Sequence, residues 1–150
     1  MAVNSESHSA YRQVDVETTS QGKLIVMLFN GAIQRAEESR RLMSEQPMDI
    51  PTINNKLLRA QDIVTELRTA LDMSVGELAE SLDRTYEYFH YLLVQANIKK
   101  DTEPLVECIE LMTGIRDTWE ELFEQLAEKD ELPSEQPTIN KHGATVLNIT

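Results

Sequence analysis

The stretch that decides the fold runs from Ser20 to Ala36 and reads SQGKLIVMLFNGAIQRA. Ser20 is a residue type that caps helix N-termini, because its hydroxyl accepts a hydrogen bond from a free backbone N–H. One apolar stripe recurs every four positions, as on a helix face that packs into a core: Leu24, Leu28, Ala32 and Ala36. The pattern predicts a helix from near Ser20 to about Met43, with this stripe in the core.

The same stretch carries a second apolar stripe beside the first, formed by Ile25, Phe29 and Ile33. Two explanations are open. A deeply buried helix shows an apolar arc wider than 100°, which would place both stripes in the core. Alternatively, the second stripe borders a groove that accepts an amphipathic helix of a partner. In that case the preceding segment, with Tyr11 and Val14, is close enough to cover the groove when the partner is absent.

Three further helices follow from the spacing of apolar residues. The second is predicted to begin after Thr52. Ser74 and Glu77 have the spacing of a capping box and predict the start of the third, while Asp101 or Thr102 is expected to cap the fourth. The predicted core positions of these helices are Ile53, Leu57, Ala60, Val64, Leu67 and Leu71; Leu78, Leu82, Tyr86, Phe89, Leu93 and Ala96; and Leu105, Ile109, Met112, Ile115, Trp119, Leu122 and Leu126.

The connections between these helices are short, so neighbouring helices must run antiparallel. We therefore predict an all-α fold, an antiparallel up-down four-helix bundle over residues 20–129. Residues 1–19 are expected to form an N-terminal capping segment. Residues 130–150 are polar and contain proline, and we expect them to form a flexible tail.

Composition excludes several classes of function. The 150 residues contain 14 Lys and Arg against 26 Asp and Glu, a net charge of −12. This charge repels phosphate backbones and anionic lipid surfaces, so neither nucleic acid nor membrane is an expected partner. No apolar run approaches the roughly 20 residues that cross a bilayer. The N-terminus lacks the basic and apolar regions of a signal peptide, so we expect a cytoplasmic protein.

The residues that could carry chemistry favour no enzyme and no cofactor. Carboxylate-bridged metal bundles need two Glu-x-x-His pairs, and this chain has only Glu87 with His90. Cys108 has several acidic neighbours, which raise a thiol pKa, so a buried structural cysteine is expected. His90 could accept a phosphoryl group as in histidine-phosphotransfer bundles, although Tyr91 follows it where those modules usually have Lys-Gly. That alternative and a generic helical adaptor remain open.

Several stretches, in this order, resemble one family: residues 10–14 (AYRQV), 18–21 (TTSQ), 24–32 (LIVMLFNGA), 67–72 (LRTALD), 76–79 (GELA), 86–88 (YEY), 96–97 (AN) and 115–119 (IRDTW). Together they are similar to the flagellar export chaperone FliS family. Two departures stand out. Gln21 occupies a position where the family tends to have Pro, and Phe29-Asn30 replaces a Tyr-Asp pair.

The resemblance implies a non-enzymatic type III export chaperone with an antiparallel helical bundle. Such a protein binds the C-terminal segment of flagellin in the cytoplasm, prevents premature polymerisation and presents flagellin to the flagellar export apparatus. The family's N-terminal segment is thought to cap the flagellin site. On this basis we predict six partner-binding residues: Tyr11, Val14, Ile25, Phe29, Ile33 and Asn97. Asn97 would bond to the partner or to loop backbone, or else cap a helix C-terminus. The groove should be the least charged surface of the molecule.

Overall fold

The computed structural model describes the backbone of residues 7–131 and the side chains of residues 21–129. Its helices are α1 (Ser7–Met43), α2 (Ile50–Thr69), α3 (Glu77–Lys99) and α4 (Thr102–Glu131), with one 3-10 turn at Met73–Val75. Residues 7–131 contain no strand. Each helix packs against the next one in the chain, and α4 packs against α1. The predicted all-α four-helix bundle is confirmed.

Contacts between α1 and α2 fix their antiparallel register. Lys56 Nζ lies 2.7 Å from Glu38 Oε1, and a Cβ atom at Gly31 would lie 3.4 Å from Cδ1 of Ile63. The two contacts are 38 − 31 = 7 residues apart on α1 and 63 − 56 = 7 on α2. One further step of the same length places Leu24 level with residue 70, where α2 has just ended.

Helix α1 begins at Ser7, so the predicted start near Ser20 is wrong. The helix is 37 residues long and α4 is 30, against 20 for α2 and 23 for α3. A Cβ atom at Gly22 would lie 2.8 Å from Cγ of Phe123, so α1 and α4 stay in contact beyond the level at which α2 ends. The predicted division at residue 19 falls within a continuous helix, and whether residues 1–19 act as a cap stays a prediction.

The starts of the other helices test the capping predictions. Asp101 caps α4 as predicted, since its Oδ1 accepts from the backbone N–H of Glu103 at 3.0 Å. Asp49 caps α2, which begins at Ile50, slightly earlier than expected. The predicted capping box of Ser74 is wrong, because Asp72 Oδ1 already accepts from both the N–H and the hydroxyl of Ser74.

The start of α3 is set by backbone conformation in place of a side-chain cap. Gly76 is the N-cap residue and has φ of 100°, which glycine adopts without the steric cost that a Cβ brings. Because glycine has no side chain, Gly76 makes no side-chain capping hydrogen bond to α3. Glu77 and Glu80 lie in the first turn of α3, and their negative charges complement the helix dipole. A glycine at this position lets the chain leave the 3-10 turn and enter α3 directly.

The core follows the predicted stripe closely on α2: the five predicted positions within the helix are buried, and so is Leu71 just beyond its end. Its centre is aromatic: the Phe29 ring packs edge-on against Tyr86 at 5.9 Å, and Tyr86 lies 5.9 Å from Phe89. Leu78 is the exception on α3, because half of its surface is exposed beside the α2–α3 connection. Leu78 is the second residue of α3, so its side chain lies at the end of the bundle.

Candidate partner-binding surface

Both apolar stripes of α1 face the core, because Ala32 and Ala36 are fully buried and Leu28 packs against the core, and only Leu24 departs from the predicted stripe. Ile25, Phe29 and Ile33 are buried in the core, whereas Leu24 is 52% exposed. The assignment of Leu24 to the core is therefore wrong, and the wide apolar arc is in large part that of a deeply buried helix. The physical reason is the packing of Phe29 against Tyr86, which turns this stripe inward.

Contact of Ile25, Phe29 and Ile33 with a partner stays a prediction. In this structure their side chains are packed within the hydrophobic core. Among the described residues of α1, the large apolar side chains exposed to solvent are Leu24 and Met27, and Met27 is 66% exposed. The predicted caps of the groove, Tyr11 and Val14, lie outside the residues whose side chains the structure describes.

Five exposed apolar side chains belong to segments near the end of the bundle where α2 gives way to α3. Leu24 is level with residue 70, and Met27 lies one helical turn further along α1. The α2–α3 connection begins at residue 70, and α3 begins at Glu77. We call this set the end surface: Leu24, Met27, Met73, Val75 and Leu78, each at least 36% exposed. Exposed apolar side chains near one another make this end of the bundle a candidate interaction surface.

Charge is nearly absent from the part of α1 that borders the end surface. Between residues 21 and 34 the only ionisable side chain is Lys23. The exposed polar positions in that stretch are uncharged, as at Asn30 and Gln34. An incoming apolar segment would therefore desolvate little charge on α1. The expectation of an uncharged surface is met by this stretch of α1 but not by the start of α3, where Glu77 and Glu80 are exposed.

Asn97 lies at the opposite end of the bundle. Its backbone oxygen and its Oδ1 accept from Lys100 Nζ at 2.6 and 3.0 Å, and the same Nζ reaches Asn54 Oδ1 at 2.7 Å. The C-cap of α3 is Lys100, in left-handed conformation with φ of 51°, so the alternative of Asn97 as that cap is wrong. The structure brings Asn97 together with α2 and away from the end surface.

Charged side chains mostly stabilise the bundle from outside. Arg68 of α2 and Asp83 of α3 form a two-bond ion pair at 2.9 and 3.1 Å. The hydrogen bonds from Arg68 hold the pKa of Asp83 below its usual value.

A cleft of roughly 620 Å³ between α1 and α4 is lined by Glu37, Glu38, Arg40, Arg41, Ser44, Thr102 and Val106. Its arginines already pair with nearby glutamates, Arg40 with Glu37 and Arg41 with Glu45.

The residues with potential chemistry have structural surroundings. Cys108 is fully buried as predicted, and burial raises the pKa of its thiol to about 12, with a smaller contribution from Glu107. His90 is half-buried on α3. Within residues 21–129 no three His, Cys, Asp or Glu side chains are grouped so as to hold a metal ion. No helix of the described part is both long and apolar enough to span a bilayer.

Fold and composition together define a class: a small acidic four-helix bundle with exposed apolar side chains. The family model described as "Flagellar protein FliS" matches residues 3–126. The chain belongs to the FliS family of flagellar secretion chaperones. The resemblance found in the sequence is thereby confirmed.

Three relatives show how far the similarity extends. The flagellar secretion chaperone FliS of Bacillus subtilis (strain 168) is 34% identical over 117 residues, 78% of this chain and 86% of its own. The FliS protein of Vibrio cholerae is 33% identical over 77% of this chain and 88% of its own. That of Salmonella typhimurium is 34% identical over 75% and 87%.

Proposed function

We propose that the chain binds the C-terminal segment of flagellin in the cytosol, prevents its premature polymerisation and assists its delivery to the flagellar export gate. Membership of the secretion chaperone family supports this proposal. The observation that carries it is the end surface, where five large apolar side chains are exposed beside an almost uncharged stretch of α1.

In this proposal the partner docks on Leu24 and Met27 of α1 and extends over the α2–α3 connection. Ile25, Phe29 and Ile33 act from the core, since their packing holds α1 with Leu24 and Met27 outward. Covering of the end surface by Tyr11 and Val14 before flagellin binds stays a prediction, and it requires α1, which is continuous from Ser7 to Met43 in this structure, to bend back before Gln21. Asn97 receives no contact role, because its oxygen atoms are occupied by Lys100 at the other end.

Coupled folding and binding gives a physical mechanism for such a chaperone. A partner segment without structure of its own loses conformational entropy when it forms helices on the end surface, and this loss offsets part of the gain from apolar burial. Affinity per buried area is then modest, while a long contact remains possible. A modest affinity is useful here because the chaperone must also release its partner at export.

Seeded polymerisation tests the proposal. Purified flagellin monomer is mixed with filament fragments, with and without a stoichiometric amount of the chain, and elongation is followed by light scattering. We expect the native chain to suppress elongation and the Leu24→Asp, Met27→Asp double variant to do so poorly. Leu58→Asp is the matched control, since Leu58 is 50% exposed on the outer face of α2. Elongation unaffected by the native chain would refute the proposal.

A further inference from the structure

A second strip of exposed apolar side chains lies along α3 and α4, separate from the end surface. We call it the side surface, formed by Tyr88, Tyr91 and Ile98 of α3 and Leu111 of α4. Tyr91 is 54% and Ile98 71% exposed. Because the α3 positions are spaced by three and seven residues, they share one helix face. The core accounts for none of the four.

Two contacts join the centre of the side surface to α4. The rings of Tyr88 and Tyr91 stack with centroids 6.2 Å apart. The Tyr88 hydroxyl donates to Glu107 Oε2, which ties α3 to α4 at this level, and Leu111 lies one turn from Glu107 on α4. From Ile98 to Leu111 the strip runs for about 20 Å, the length of a helix of about 14 residues.

Gly114 extends the strip and has no role within the chain that explains a glycine. It lies seven residues from Glu107 and three from Leu111, on the same face of α4. A Cβ atom at this position would meet nothing within 4 Å. A glycine inside a helix costs about 1 kcal/mol relative to alanine, and no close packing inside the described part of the chain requires one here. A glycine on an open face allows the backbone of another molecule to approach closely.

The rim of the side surface is acidic. Exposed acids outnumber exposed bases along it, with Arg84 and Lys99 as the bases. The acids are Glu87, Glu103, Glu107 and Glu110. A segment that covers the apolar strip would therefore bring its flanking side chains against carboxylates, and positive charges there gain both affinity and association rate.

We propose that the side surface docks a basic amphipathic helix of another protein, with apolar residues on one face flanked by Lys and Arg. Two other occupants fit poorly on charge. A second copy of the chain carries a net charge of −12. The segment 130–150 carries three acidic residues against one Lys. The proposal is independent of flagellin binding at the end surface.

A matched pair of peptides tests the proposal. Both are designed fluorescein-labelled 18-residue helices with Leu at i, i+4, i+7, i+11 and i+14; one has Lys at the flanking positions and the other Glu. Anisotropy titrations at 150 mM salt use the full chain and its Ile98→Ser and Gly114→Gln variants. We expect saturable binding of the Lys peptide only, weakened at least tenfold by either substitution. Gly114→Gln is the sharper variant, because it adds a side chain to open space and should leave the melting temperature unchanged or higher.

Controls separate this site from the end surface. Leu58→Ser removes an exposed leucine from the outer face of α2 and should leave peptide affinity unchanged. Met27→Asp should also leave it unchanged, and Gly114→Gln should still suppress flagellin polymerisation. No saturable binding of the Lys peptide, equal binding of both peptides, or equal weakening by Leu58→Ser and Gly114→Gln would each overturn the proposal.

Discussion

At the scale of single residues, Phe29 and Met27 lie two positions apart in α1 and have opposite environments. Phe29 is fully buried against Tyr86, whereas Met27 is 66% exposed. Phe29→Ala should lower the free energy of unfolding by about 3–5 kcal/mol, since it removes a ring and leaves a cavity. Met27→Ala should change it by no more than about 0.5 kcal/mol. Urea denaturation followed by circular dichroism measures both, and similar losses would contradict the buried position of Phe29 and the exposed position of Met27.

The sequence could not separate these two residues. Residues 24–29 are all apolar, so a period of 3.6 leaves little contrast from which to choose the buried face. On α2, polar residues interrupt the apolar ones, and the buried face was predicted in full. The inward turn of Phe29 depends on the Tyr86 ring of α3, a contact between distant parts of the chain that periodicity does not contain.

Tyr86 makes the stability of the bundle sensitive to alkaline pH. Burial raises the pKa of its hydroxyl from 10 to about 12. The folded state then holds a proton that the unfolded state loses, so this contribution is present below pH 10 and lost as the pH rises toward 12. Between pH 8 and pH 11 the loss amounts to about 1.4 kcal/mol.

The variant Tyr86→Phe keeps the ring and removes the titrating group. Its free energy of unfolding, measured in urea at pH 8 and pH 11, should fall by about 1.4 kcal/mol less than that of the native chain. Cys108, whose thiol pKa is also raised by burial, contributes equally to both proteins. The same fall in both would show that Tyr86 does not titrate as described.

At the scale of helices, two glycines should respond in opposite directions to the same substitution. A Cβ atom at Gly22 would lie 2.8 Å from Cγ of Phe123, while one at Gly114 would meet nothing within 4 Å. Gly22→Ala should destabilise the protein by about 1–3 kcal/mol, because the ring must shift. Gly114→Ala should stabilise it by up to about 1 kcal/mol. Thermal unfolding checks both, and a rise in melting temperature for Gly22→Ala would contradict the contact between α1 and α4.

Helix number and order were predictable because the connections are short and the apolar stripes of α2, α3 and α4 are clear. Two boundaries were not. Ser20 is a residue type that caps helices, yet α1 continues through it. A serine caps a helix only where the preceding residues are not helical, and here they are helical. Ser74 matches a capping box, but the nearer Asp72 takes its N–H and hydroxyl. Both errors come from local competition that a spacing rule does not weigh.

At the scale of the whole molecule, surface charge is unevenly distributed. The net charge of −12 keeps a bundle with exposed apolar side chains soluble and self-repelling. Acids surround the side surface, whereas the stretch of α1 beside the end surface carries only Lys23 between residues 21 and 34. The end surface is thus nearly uncharged on its α1 side, while Glu77 and Glu80 make its α3 side acidic. The positions of both surfaces depend on the bounds of the four helices and on how the helices pack. The spacing of apolar residues in the sequence does not determine either of these.

Binding of the flagellin C-terminal segment to the end surface is the central claim. Its most direct test is a fluorescence anisotropy titration of a labelled C-terminal segment with the native chain, the Leu24→Asp, Met27→Asp variant and Leu58→Asp as control. We predict saturable binding to the native chain, the same affinity for Leu58→Asp, and at least a tenfold loss for the double variant, which is about 1.4 kcal/mol. Equal affinity of the native chain and a folded double variant would contradict the claim.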